Sequence, residues 1–121
     1  MLFRSVLTGL NPAAVAGHFL VSMAIIAGCV VLWVRSGESG DHPRTWLVRP
    51  EVRWLGRLLV VVTLVVVILG TVVTGSGPHS GDADTEARFG FDPRTVSWLH
   101  ADVVLLFLGL TIGMQIGRAH V

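Results

Sequence analysis

The 121-residue sequence contains no lysine, no tyrosine and a single cysteine, and only 14% of it is charged, where soluble domains carry about 25%. Each scarcity excludes something. A lone cysteine, Cys29, cannot form a disulfide within the chain and reads as a small packing residue. A net charge of +1 with no basic tail or arm removes the case for nucleic acid. The five histidines are scattered along the chain, so no compact metal motif announces itself.

What the chain has in abundance is apolar surface: 52% hydrophobic residues and a mean hydropathy of +0.71. Three apolar runs, at about 13–34, 54–74 and 96–114, each come close to the ~20 residues that cross ~30 Å of hydrocarbon at about 1.5 Å per residue. The predicted fold class is therefore an all-α membrane protein with three transmembrane helices, and membrane lipid is its first partner. The first connection, 35–53, and its flank carry Arg35, Arg44, Arg49, Arg53 and Arg57 against Glu38, Asp41 and Glu51, whereas the second, 75–95, carries only Arg88 and Arg94. This bias puts loop 35–53 in the cytoplasm and loop 75–95 outside. Trp33, Trp46 and Trp54 then sit near the cytoplasmic boundary, where amphipathic rings favour the headgroup level. His42, beside Pro43, reads as a solvated loop residue.

Both ends of the chain read as foreign to it. Residues 115–121 (QIGRAHV) are what CAG ATC GGA AGA GCA CAC GTC encodes, a common sequencing adapter, and residues 1–5 (MLFRS) match its reverse complement with GTG read as a start. The expectation is that 1–5 and 115–121 are adapter-derived and that 6–114 is an internal piece of a longer membrane protein. Arg4, Arg118 and His120 are accordingly left out of functional argument.

Within 6–114 the chemistry concentrates on two histidines. Asn11-Pro12 and Asp92-Pro93 are helix starts, each with an N-cap side chain followed by a proline that loses no needed amide donor. His18 lies six residues past Pro12 and His100 seven past Pro93, about 9 and 10.5 Å into their helices. Both helices enter from outside, so the two imidazoles are expected at nearly one depth. Ser22, Ile25 and Cys29 share the side of His18, and Val104, Phe107 and Thr111 that of His100. Ionisable groups inside a membrane span are costly and mark functional sites by default. Asp102 falls about 200° round the helix from His100 and is assigned to another neighbour.

The second span carries no ionisable group after Arg57 and reads as scaffold, with Gly70 able to admit a close neighbour and Thr63, Thr71 and Thr74 able to return their hydroxyls to the helix. Gly109 and Gly113 form a small-xxx-small pair suited to helix packing. In the outside loop, Gly75, Gly77 and Gly81 around Pro78 permit tight turns. Its acids Asp82, Asp84 and Glu86 do not have the spacing of an EF-hand. The loop is expected to cap a pocket, with His79 as a further candidate contact to a ligand.

A neutral imidazole is an axial ligand for haem iron, and helices can hang a porphyrin in an apolar slot. The runs NPAAVAGHFLVSM, LVRPEVRWLGRLLVVVTLVVVILGTVVTGSGPHSGDAD and FGFDPRTVSWLHADVV resemble the haem A synthase family, the membrane enzymes of cytochrome oxidase assembly. The likeness covers nearly all of 6–114, and GTVVTGSGPHSGD and DPRTVSWLHAD are its most specific parts. It implies an eight-helix bundle of two four-helix halves, of which this chain resembles helices four to six. It further implies oxidation of the C8 methyl of haem O, the substrate, to a formyl group, giving haem A. By position His18 would ligate the substrate-side haem and His100 a cofactor haem b, so the two would serve different sites. The family carboxylate of catalysis lies outside this stretch, as do the partner histidines. The stretch alone is therefore expected to be inactive, and haem O conversion by it would overturn that. The implied setting is a bacterial plasma membrane, in keeping with a lysine-free, arginine-only composition typical of GC-rich coding, with haem O and the haem O synthase that supplies it as partners.

Two other readings remain open on the residues alone. One is a b-type electron-transfer cytochrome with His18 and His100 as the two axial ligands of a single haem. The other is a scaffold or transporter piece in which Asp102 and the histidines form a proton path.

Overall fold

The computed structural model describes residues 11–38, 40, 48–77 and 88–119. Three helices make up the fold, α1 (Pro12–Ser36), α2 (Pro50–Ser76) and α3 (Pro93–Ala119), with no strand among the described residues. All three are long and apolar enough to cross a membrane. His42, His79, the acids Asp82, Asp84 and Glu86, and the 1–5 segment lie outside the described residues, while the helical backbone of α3 runs through 115–119.

Every helix opens on a proline, and the caps are local chemistry. The Asn11 side chain accepts the Ala13 N–H at 2.9 Å, directly ahead of Pro12. Asp92 Oδ2 accepts both the Thr95 N–H at 2.8 Å and the Thr95 hydroxyl at 2.6 Å. These bonds hold the Asp92 carboxyl below its usual range, the Thr95 hydroxyl being the larger cause and the Thr95 amide the second. The helix α2 starts at Pro50, four residues before the apolar run at 54–74, with Arg49 at the cap and no side-chain cap bond. The reason is physical: apolar content marks the part of a helix that meets hydrocarbon, whereas Pro50 fixes where the helix begins. At 27 residues, α2 measures about 40 Å and overshoots the hydrocarbon.

The helix α2 is central and contacts both α1 and α3. Three glycines trace the antiparallel register of α2 on α3. A Cβ placed on Gly56 would lie 3.7 Å from Met114 Cε, and one on Gly70 3.5 Å from His100 Cε1, while one on Gly75 would overlap the Phe89 ring. Gly75 is also tied to Phe89 through its carbonyl, which accepts the Phe89 N–H at 2.9 Å. The same added Cβ would come within 3.1 Å of Pro12 Cβ. The start of α1, the end of α2 and the approach to α3 therefore meet at one end of the bundle. That meeting puts the two histidine-bearing turns on the same side of the membrane, as their matched offsets from Pro12 and Pro93 required.

Little of the chain is enclosed. Val62 and Val96 form the buried apolar centre, while Leu32, Val60 and Leu105 stand about two-thirds exposed, as do many neighbours. Such surface suits lipid tails, which are as apolar as the side chains that meet them. The hydroxyls do not join the helices either. Ser22, Thr63, Thr74, Ser97 and Thr111 each bond the carbonyl four residues back, and Thr71 the one three back. Association thus rests on close packing, with the glycines of α2 providing the approach.

Candidate cofactor-binding site

Near the Gly75 end, α1 and α2 diverge around a cavity of about 390 Å³. Pro12, Val15, Ala16 and Phe19 form the α1 wall, Val66, Val67, Gly70 and Thr71 much of the α2 wall, and His100 reaches in from α3. The α1 residues recur at the three- and four-residue intervals of one helix face. The volume lies in the ~300–1,000 Å³ range of small-molecule sites, which combine apolar walls with a few polar groups.

His100 is the polar group with chemistry to offer. Its Nδ1 is enclosed and has no hydrogen-bond partner. A buried, unsatisfied nitrogen costs about 1–3 kcal/mol, a cost that no hydrogen bond to His100 Nδ1 among the described residues offsets. Its position has a clear origin. The side of α3 that carries His100 also carries Val104, Phe107 and Thr111, all half-buried, and Gly70 opposite leaves room for the ring.

His18 is placed differently. It is exposed and absent from the cavity wall, lying about 120° round α1 from the cavity-lining face. Ser22, read from spacing as a hydroxyl on the face of His18, spends that hydroxyl on the His18 carbonyl at 2.9 Å. The two histidines share a depth but not a chamber. Asp102 is exposed and absent from the cavity wall, and no hydrogen bond or ion pair ties it to the other neighbour expected from its angular offset among the described residues.

The chain matches no protein-family model, no curated protein and no solved structure. Function therefore has to be argued from the site.

The residues present fit one haem face. The walls are apolar, an imidazole without a protein partner stands on one side, and glycine at 70 keeps its surroundings open. No set of three or more histidine, cysteine or carboxylate side chains gathers to hold a bare metal ion among the described residues. The arrangement suits a metal that arrives already ligated in a planar ring, needing one axial nitrogen from this wall. The α1 side of the cavity escaped sequence reading. Val15, Ala16 and Phe19 look like ordinary span residues, and only the packing direction of α1 singles them out. Gly70 was legible, since a glycine in a transmembrane helix marks a close approach.

Proposed function

We propose that the chain is part of a membrane haem enzyme of the haem A synthase kind, its three helices corresponding to helices four to six of an eight-helix, two-half bundle. One observation carries the reading: an imidazole with no protein partner stands on the wall of an apolar cavity between membrane spans. In this assignment His100 is an axial ligand of cofactor haem b. His18, on another face of α1, serves the substrate-side haem O together with helices beyond those described. His79 is a further contact at the outer face. When bound, the iron supplies the redox chemistry that takes the C8 methyl of haem O to formyl, and the protein supplies orientation and ligation. Val15, Phe19, Val66 and Val67 would keep water from the ring.

The same reading sets the location. The arginine-bearing end is cytoplasmic in a bacterial plasma membrane, and the histidine end faces outside. The partners are lipid, haem O, the haem O synthase that delivers it, and the remaining helices of the parent protein.

A single haem clasped by both histidines is the competing assignment. It requires His18 and His100 to face one chamber, and His18 does not line the cavity that His100 lines. Single His18→Ala and His100→Ala changes in the full-length enzyme separate the two. The proposal expects His100→Ala to remove the haem b absorption. It expects His18→Ala to keep that absorption and to abolish haem O conversion. Loss of one and the same bis-histidine signal with either change would overturn it in favour of the shared haem, and no haem spectrum at all in the unaltered protein would remove both.

A further inference from the structure

The exposed side of α3 carries a second feature, independent of any ligand in the cavity. Counted from Asp102, Leu106 lies about 40° round the helix one way, Gly109 about 20° the other way, and Gly113 about 20° on the first side again. The four make one narrow seam. All are exposed, and a Cβ on either glycine would meet nothing within 4 Å. Their alternating spacing of four, three and four residues is that of a helix side that packs lengthwise against a second helix.

The carboxyl says what the seam needs. Asp102 lies six residues inside the apolar run 96–114, about 9 Å beyond its outer edge, where an unpaired charge is costly. It makes no hydrogen bond or ion pair among the described residues. Nor does its own chain bring a cation to that depth: Arg94 stands eight residues toward the outside, about 12 Å along the helix, and Arg35, Arg49, Arg53 and Arg57 belong to the other end of the bundle. Glycines at 109 and 113 let a further helix come close to the same seam, as small residues do in membrane interfaces.

We propose that the seam pairs two copies of this chain, parallel and side by side, with their Asp102 carboxyls hydrogen-bonded to each other. The same arginine bias orients both copies alike, so across a two-fold axis each seam residue meets its own counterpart. Asp102 and Gly109 are one seven-residue repeat apart, and close approach at the glycines therefore brings the carboxyls together as well. One proton held between them makes a charge-assisted O–H···O bond. Self-pairing needs no group that the chain lacks.

The test uses the full chain with Cys29→Ser, in phosphatidylcholine vesicles, and places one new cysteine at a time along 105–113. Oxidation with copper phenanthroline then links copies whose cysteines meet. Cross-linking is expected to peak for Leu106→Cys, Gly109→Cys and Gly113→Cys and to run about tenfold slower for Leu108→Cys, which points about 120° off the seam. Energy transfer between labelled copies measures association: Asp102→Asn, whose carboxamides also pair, should keep it, whereas Asp102→Leu and Gly109→Ile should each weaken it about tenfold. Circular dichroism identifies any variant that fails to form its helices, and for such a variant the cross-linking pattern with Asp102 intact decides. Monomers at every chain-to-lipid ratio would overturn the proposal and leave the seam to a helix of different sequence. Undiminished association of Asp102→Leu would do so too, by assigning the contact to the glycines alone. So would loss of association in His18→Gln, which would pair Asp102 with the histidine of the second copy.

Discussion

The helix α2 makes two seams, and they are built on different plans. Its seam with α3 is registered by Gly56 on Met114 and Gly70 on His100, and Gly75 meets Phe89 just ahead of α3. Its seam with α1 closes at Pro12 and Gly75 but opens below into the cavity. The closed seam presents His100 and the open one receives it, while His18 belongs to neither. In a bundle held by packing rather than by interhelical hydrogen bonds, the place where packing fails is where a ligand can be bound. Two histidines of equal depth thus have unequal prospects.

The largest effect should come from removing the imidazole itself. On the proposed assignment, His100→Ala is expected to weaken haem retention in the cavity by at least about tenfold, as ligand-shell losses do, whereas His18→Ala should leave retention there unchanged. Haem titration followed by absorption checks both, and equal losses would erase the contrast between the two seams. Gly75→Val attacks the point where both seams close. Its side chain would occupy the space of the Phe89 ring and press on Pro12, an overpacking cost of about 1–3 kcal/mol, measurable by denaturation in detergent.

A finer contrast can be drawn at Gly70. Gly70→Ala places a methyl at ordinary contact distance, 3.5 Å from His100 Cε1, so stability should change by less than about 0.5 kcal/mol. Gly70→Leu, by contrast, should fill the cavity and block the ligand without unfolding the bundle; full haem binding by this variant would place the ligand elsewhere. The smallest effects concern the caps. Asn11→Ala should cost about 1 kcal/mol by freeing the Ala13 amide, and it should loosen the open seam before the closed one. At Asp92 the carboxyl is held below its usual range by Thr95, so its contribution is complete above the ordinary carboxylate pKa of about 3.9 and is lost as pH falls through the lowered value. A helicity titration should therefore show α3 fraying only in that acid window, and Asp92→Asn should abolish the dependence.

Much of the fold was written locally. Asn11-Pro12 and Asp92-Pro93 could be read as helix starts because a cap needs only neighbours within three residues, and the bonds to Ala13 and Thr95 are there. The start at Pro50 was hidden, since the arginines of the first two turns keep that segment out of the apolar run. The site was half legible. His100 and Gly70 stand out by residue type, but nothing in the order of Val15, Ala16 and Phe19 tells which side of α1 turns inward. The pairing of His18 with the Ser22 hydroxyl on one face was correct as spacing and misleading as chemistry, because that hydroxyl returns to its own helix. Gly109 and Gly113 were read as packing positions, yet nothing lies within 4 Å of the Cβ either would carry. A motif for close approach can be seen in a sequence without its partner being there.

The prolines at 12 and 93 have one more consequence. Because each fixes the first turn of its helix, the height of an imidazole in the bilayer is counted from its own proline and not along the intervening chain. The depth of the chemistry is set by two short counts, six residues and seven.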